Sequence, residues 1–220
     1  MENPWISLKR INNEYIANCD KETITYFKSK LHNEFELKLN LTPGPYYGDP
    51  DKAKVFLLGL NPGYSDEDAN ICEKNEKIII DSLTHSIKQH PFLPLNPINY
   101  GSPGFNWWRK RLRVLIDKTS LDVVQNFIFG AEFFPYPSIK FKRVNRILPS
   151  QQYTFYLIKK AIQDKKCIII KRSKRIWYDS VPELEKYERK YILKNPQCTY
   201  ISPGNMDNYE FNEVVKVLKL

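Results

Sequence analysis

The stretch that decides the fold is Val55-Phe-Leu-Leu-Gly-Leu-Asn-Pro-Gly63. It is a short run of mostly large apolar residues that enters a turn made of Asn61, Pro62 and Gly63. A run of this length bounded by turn residues predicts a buried parallel strand, here over residues 54–60. Proline fixes the backbone at one turn position, and the glycine that follows permits a close approach. Asn61 is therefore expected at the carboxyl end of a central strand, where open α/β sheets bind their ligands.

Strand and helix patterns alternate along the chain. This alternation predicts a parallel sheet with helices on both faces. The expected fold class is α/β, a three-layer α/β/α domain with a central, mainly parallel four-stranded sheet. The turn-rich segment 41–50 is predicted to be a loop. The other predicted strands cover 123–129, 167–170 and 198–201, and the predicted helices cover 22–36, 73–89, 105–117, 150–164, 173–190 with an interruption at Pro182, and 208–218.

Composition narrows the class of protein. A chain of 220 residues suits a single domain with its own core. No stretch approaches the roughly 20 apolar residues of a membrane span, and the first residues lack a basic-then-apolar signal, so we expect a cytoplasmic protein without a membrane partner. The four cysteines share no C-x-x-C spacing. We therefore expect no disulfide framework, no metal and no other cofactor.

The positive charge of the chain is concentrated in one segment. Residues 138–194 contain 16 lysines and arginines against 5 acidic residues, whereas the other 163 residues contain 18 against 20. Cations that displace counterions from phosphates drive nucleic-acid binding, so a phosphate-binding face would produce this asymmetry. A lysine-rich solvated surface is the alternative explanation. One basic cluster directly follows the predicted strand 167–170, and its members are Lys171, Arg172, Lys174 and Arg175.

Three motifs in the right order resemble those of one enzyme family. Gly59-Leu-Asn-Pro-Gly63 resembles the first motif of the uracil-DNA glycosylase superfamily, in its mismatch-specific (G·U/G·T) branch. Tyr100-Gly-Ser-Pro-Gly-Phe-Asn-Trp-Trp108 repeats that branch's spacing of an aromatic residue, a proline and an aromatic pair. Ser202-Pro-Gly-Asn-Met206 lies where the family has a short Asn/His-Pro-Ser loop after the last strand. The resemblance implies a helical extension at about 1–40 and an insertion at about 64–98.

The resemblance also implies roles for individual residues. Asn61 corresponds to the residue that positions the attacking water, and Tyr100 to the ring that stacks on the flipped base. Ser202 stands where the family donates a hydrogen bond to the departing base. The implied base-binding residues are Gly59, Leu60, Pro62, Gly63, Tyr64 and Tyr100. The implied DNA contacts are Pro203, Gly204, Asn205 and Met206, with Met206 as an apolar wedge, together with the basic cluster.

Glu132 follows the second predicted strand, near the place where the family recognises the base. A carboxylate there could bind the base or activate water. Pairing with one of the many lysines at the surface is the alternative.

The function expected from these motifs is recognition and hydrolytic excision of a uracil-like or damaged base from DNA by a monofunctional DNA glycosylase. The expected partner is damaged or mismatched DNA, bound without sequence specificity, because the target base must leave the stack before its glycosidic bond is accessible. Two alternatives remain open. One is a catalytically inactive nucleic-acid-binding protein of the same fold, and the other is a hydrolase or binder of free nucleosides or nucleotides.

Overall fold

The computed structural model describes residues 1–220, apart from the side chain of Ala69. The strands are β1 (Arg10–Ile11), β2 (Glu14–Tyr15), β3 (Tyr46–Tyr47), β4 (Val55–Leu58), β5 (Ile128–Ala131), β6 (Cys167–Ile170) and β7 (Lys190–Ile192). The α-helices are α1 (Lys21–Lys28), α2 (Asp68–Leu83), α3 (Pro103–Lys118), α4 (Leu121–Phe127), α5 (Gln151–Gln163), α6 (Lys174–Ser180) and α7 (Asn208–Lys219). Short 3-10 helices cover Asn18–Asp20, Asn33–Phe35, Leu93–Leu95, Pro97–Asn99 and Pro182–Lys186.

The central sheet has five strands in the order β3-β5-β4-β6-β7. Strands β5, β4, β6 and β7 are parallel, and β3 pairs with β5 in the antiparallel direction. The α/β class is therefore confirmed. The prediction of four strands is wrong, because the two-residue edge strand β3 lies inside the segment predicted to be a loop.

The pleat of β4 explains why helices cover both faces of the sheet. Successive side chains of a strand point to opposite faces, and all four residues of β4 are buried. Phe56 and Leu58 pack in one apolar cluster with residues of α1, α5 and α6. Val55 and Leu57 pack in a second cluster with residues of α3, α4 and α7. This arrangement is consistent with the predicted three-layer architecture.

The predicted strand over 123–129 is wrong in most of its length. Residues 121–127 form α4, and the strand begins only at Ile128. The Ser120 side chain accepts a hydrogen bond from the Val123 N–H, and Asp122 lies in the first turn. This capping, together with the packing of Val124 against the sheet, outweighs the strand preference of adjacent valines.

The last strand also differs from the sequence prediction. Residues 198–201 are irregular, and β7 lies earlier, at Lys190–Ile192, where it begins at the last residue of the segment 173–190 that was predicted to be helical. Its three residues pair with β6, and such a short strand leaves little periodicity to detect. The helix predicted over 22–36 ends at Lys28. The strand 167–170 and the C-terminal helix are confirmed.

None of the helices in the described chain combines the length and apolar character that crossing a bilayer requires.

Candidate functional site at the carboxyl edge of the sheet

The order of the strands in the sheet indicates where a ligand site is expected. From β4 the chain continues to β5 on one side, and then crosses to β6 and β7 on the other side. The carboxyl ends of β4 and β6 therefore flank the point where the order reverses, which is where open α/β sheets form their ligand crevice. Two of the predicted segments meet there, because Lys171 N–H donates to Leu58 O over 2.9 Å. These segments are the Gly59–Gly63 motif and the basic cluster that begins at Lys171.

Asn61 is held by its own amide group. Its Nδ2 donates to Pro62 O over 2.9 Å and to Ser138 Oγ over 3.2 Å. Ser138 in turn donates to Lys140 O over 3.0 Å. The Asn61 carbonyl oxygen accepts no hydrogen bond from any described residue, and the side chain is half-buried. An amide fixed at one end and open at the other can orient a water molecule.

Three residues form one row just beyond the paired strands. Leu58 is paired with Ala131 of β5 and with Ile170 of β6, so the next residues are Gly59, Glu132 and Lys171. Glu132 and Lys171 reach toward each other across the central strand, with 3.8 Å between Oε1 and Nζ. A Cβ at the central position would overlap the Glu132 carboxylate. Glycine is therefore required there by close approach, not by backbone conformation.

The Glu132–Lys171 ion pair is buried. The residues are only 6% and 4% exposed. Burial raises the pKa of Glu132, which the Lys171 ammonium and the Leu60 N–H partly oppose. Burial lowers the pKa of Lys171, which the Glu132 carboxylate partly opposes. Each charge thus compensates the desolvation of the other.

Tryptophans enclose the lysine. Lys171 Nζ lies 4.1 Å from the ring centre of Trp108 and 5.6 Å from that of Trp107. Arg111 also lies 4.2 Å from the ring centre of Trp107. The Lys171 ammonium is buried between a carboxylate and an indole, so it is not exposed for the predicted contact with DNA. The space beside Glu132, where the resemblance places a base, is filled by the same lysine.

The Ser202–Met206 loop is built around an internal anchor. Asn205 is buried, and its Nδ2 donates to Cys198 O and to Tyr200 O, while its Oδ1 accepts from Asn195 N–H. Met206 is fully buried in the core. Both side chains stabilise the loop from within, so neither is exposed for the predicted contact with DNA.

The remaining loop residues lie nearer to solvent. Pro203 and Gly204 are exposed, and Ser202 is half-buried. The Ser202 hydroxyl makes no hydrogen bond with the described part of the chain. Ser202, Pro203 and Gly204 are therefore the residues of this loop that a ligand can reach.

Some of the predicted base-binding residues are used inside the protein, and others are exposed to solvent. Gly59 and Leu60 use their carbonyl groups internally, accepting from Trp177 Nε1 over 2.9 Å and from Phe134 N–H over 2.8 Å. Pro62 is buried and Gly63 is exposed. Tyr64 donates to Asp66, and this bond raises the pKa of the phenol. Tyr100 is 76% exposed and packs against Phe105 of α3.

No family model matches this chain, and neither a curated protein nor a solved structure matches it. Within the described residues, no group of three or more His, Cys, Asp or Glu side chains is placed to hold a metal ion.

Three cations at this edge are available to an anion. Arg172, Lys174 and Arg175 are exposed or half-exposed, and they form no ion pair with described carboxylates.

A cavity between α1 and the loop that follows β5 is a feature that the motifs did not predict. It has a volume of about 280 Å³, and its walls include Phe27, Phe35, Phe133, Phe134, Phe141 and Ser138. We name it the phenylalanine cavity. Ser138 joins it to the site, since the same hydroxyl accepts from Asn61. In the sequence, the adjacent Phe133 and Phe134 after β5 were the one sign of this cavity. The walls that the first forty residues contribute could not be predicted, because they depend on tertiary packing.

Proposed function

We propose that this chain is a uracil-DNA-glycosylase-like protein that recognises a uracil-like or damaged base in DNA and excises it by hydrolysis. The observation that carries the proposal is the way in which the Asn61 side chain is held. Its amide is fixed by Ser138 at the carboxyl edge of the central strand, while its carbonyl oxygen is open. This is the position that the resemblance assigns to the residue that orients water.

Base excision breaks an N-glycosidic bond through a transition state with oxocarbenium character. The Asn61 carbonyl orients a water toward the sugar, but an amide is a weak base, so the departing base must itself be stabilised. Ser202 supplies a hydroxyl donor at this edge for the departing base. Glu132 has no role as general base in this proposal, because its carboxylate is buried against Lys171.

The charge distribution supports an anionic substrate. Arg172, Lys174 and Arg175 directly follow β6, on the same edge as Asn61, and make no ion pair within the described chain. Phosphate contacts of this kind position a nucleic acid without reading its sequence. Binding to DNA without sequence specificity is therefore part of the proposal.

Two observations favour a second candidate function. Lys171 fills the space beside Glu132, and Met206 is in the core, not at the surface. A protein that kept the nucleic-acid surface and lost excision would have this arrangement. The second candidate is therefore a catalytically inactive nucleic-acid-binding protein of the same fold.

Base release separates the two candidates. Oligonucleotides that carry uracil, G·U, G·T, hypoxanthine or alkylated bases are incubated with the protein, and abasic sites are cleaved with alkali and counted. We expect release from at least one of them, and we expect Asn61→Ala to slow it by about 100-fold, by analogy with deleting one group that stabilises the transition state. Asn70→Ala, which alters an exposed asparagine of α2, is the matched control.

A second variant tests the role of Asn61 in orienting water. Asn61→Asp supplies a stronger base of the same size but loses the amide donations to Pro62 O and Ser138 Oγ that fix the side chain, so release is expected to fall, although by less than in Asn61→Ala. The absence of release from every substrate by the wild-type protein would contradict the enzyme proposal. Retained binding in that case would favour the inactive nucleic-acid-binding protein.

A further inference from the structure

We propose that the phenylalanine cavity binds one unpaired nucleobase of a single-stranded nucleic acid, and that Lys142 and Arg146 at its rim bind the adjoining phosphate. This inference rests on the proposed function in one respect, namely that the partner is a nucleic acid. It adds a binding site that none of the three motifs contains.

The walls of the cavity suit a flat ring. Aromatic side chains come from three places: α1, the segment around Phe35, and the loop that follows β5. A volume of about 280 Å³ lies just below the usual range of small-molecule sites, so the cavity accommodates no more than one small planar group. Base–aromatic stacking contributes about 1–3 kcal/mol per base and tolerates any base, because every base has a π face.

Two polar side chains that line the cavity, Ser138 and Gln151, are already engaged, whereas the exposed Asn145 makes no hydrogen bond with the described residues. Ser138 accepts from Asn61 and donates to Lys140 O. Gln151 donates to Phe133 O over 2.6 Å and accepts from Leu148 N–H over 2.8 Å. These bonded groups leave little capacity for hydrogen bonds to a base edge. The cavity is therefore expected to take different bases with similar affinity.

The rim carries cations that lack a carboxylate partner. Arg146 lies 4.0 Å from the ring centre of Tyr26, and Lys142 lies 5.7 Å from that of Phe35. Neither forms an ion pair with a described acidic residue. Both are exposed, so their charges remain available to a phosphate while the aromatic rings fix their position. This charge complementarity selects an anionic aromatic ligand.

The rim continues into the basic surface of α6. Arg143 at the rim pairs with Asp179 of α6 over 3.5 Å. Arg175 precedes Asp179 by four residues, so the two lie on the same face of the helix. The cations of the rim and those after β6 are thereby parts of one surface. A strand with several phosphates can use this surface, whereas a free nucleotide can use only a part of it.

The loop at residues 202–206 favours an unpaired strand over a duplex. A paired base must first leave the stack, which costs a few kcal/mol and is usually assisted by an inserted apolar side chain. Met206, the residue predicted for that role, is fully buried. A base that is already unpaired needs no such assistance and can enter the cavity directly.

The test is binding of labelled oligothymidylate, measured by fluorescence anisotropy, with a duplex of the same length and free thymidine monophosphate as competitors. Phe141→Ala and Arg146→Gln are compared with the wild-type protein, and Lys186→Gln, which removes an exposed charge elsewhere in the basic segment, is the control. We expect Phe141→Ala to weaken binding by about 5- to 100-fold, the loss of one stacked base. Arg146→Gln should weaken it by a smaller factor and reduce its salt dependence.

Several outcomes would overturn this inference. They are equal binding of duplex and single strand, competition by the free nucleotide at the affinity of the strand, or wild-type affinity in both variants. If Phe141→Ala does not fold, Arg146→Gln decides alone, because its side chain is exposed. Weakened binding in these variants without base release by the wild type would support the cavity and contradict only the enzyme proposal. Base release by the wild type together with unaltered binding in the variants would support the enzyme proposal and contradict the role of the cavity.

Discussion

Glu132 and Lys171 are the residues that hold the candidate site together. One follows β5 and the other follows β6, and they meet across Gly59 at the end of β4. Their ion pair thus connects the ends of three parallel strands. A buried pair is not strongly stabilising in itself, but the loss of one partner leaves an uncompensated charge in a low-dielectric interior.

The buried ion pair predicts a strong asymmetry between single and double substitutions. Lys171→Met leaves the carboxylate unpaired and should lower the free energy of unfolding by about 3–5 kcal/mol. Glu132→Gln leaves the ammonium unpaired and should cost a similar amount. In the double variant the free energy of unfolding should fall by much less than the sum of the two single losses, because neither charge remains. Urea unfolding measures all three, and additive losses would contradict the coupling.

At the scale of elements, the segment that follows β7 shows how one side chain replaces regular structure. Residues 193–207 contain no helix or strand, yet Ile201 and Met206 are fully buried. Asn205 satisfies backbone groups of Asn195, Cys198 and Tyr200 at the same time. Buried backbone groups need such partners wherever sheet and helix do not supply them.

Removal of this anchor should loosen the loop and leave the sheet intact. We expect Asn205→Ala to lower the free energy of unfolding by about 1–3 kcal/mol, the cost of leaving buried polar groups unpaired. Tryptic cleavage after Lys194 should become faster than in the wild-type protein, while amide exchange in β4 and β6 stays slow. Asn208→Ala, at an exposed position at the start of α7, is the control. Equal cleavage rates would contradict the anchoring role.

Local patterns predicted some elements well and others poorly. Strands β4 and β6 are continuous apolar runs, so their position follows from the sequence alone. The helix α4 does not, because Val123 and Val124 favour a strand while a cap at Ser120 decides for a helix. The strands β3 and β7 have two and three residues, and pairing with a neighbour, not local preference, creates them.

The candidate site was predictable to a similar extent. Asn61 at a strand end follows from the turn residues beside it. The partnership of Glu132 with Lys171 depends on the register of three strands, and the burial of Met206 depends on how the final loop closes. The phenylalanine cavity draws its walls from segments more than one hundred residues apart, a juxtaposition that no local pattern contains.

At the scale of the whole molecule, charge is the property on which the proposed binding of nucleic acid depends. The formal net charge is +9, and the excess lies in residues 138–194. The structure gathers cations without carboxylate partners on two connected areas, the rim of the phenylalanine cavity and the start of α6. They are Lys142, Arg146, Arg172, Lys174 and Arg175. A surface of this kind attracts a polyanion at long range and weakens as salt screens it.

The salt dependence of binding to single-stranded DNA tests most directly whether this surface binds nucleic acid. Each neutralised phosphate of a single strand contributes a slope of about −0.7 to log K against log salt concentration. Contacts by three to five of the cations therefore predict a slope of about −2 to −3.5, and Lys174→Gln with Arg175→Gln should make it shallower by about 1.4. Lys186→Gln should leave it unchanged. Binding that is absent, or that does not respond to salt, would contradict the account.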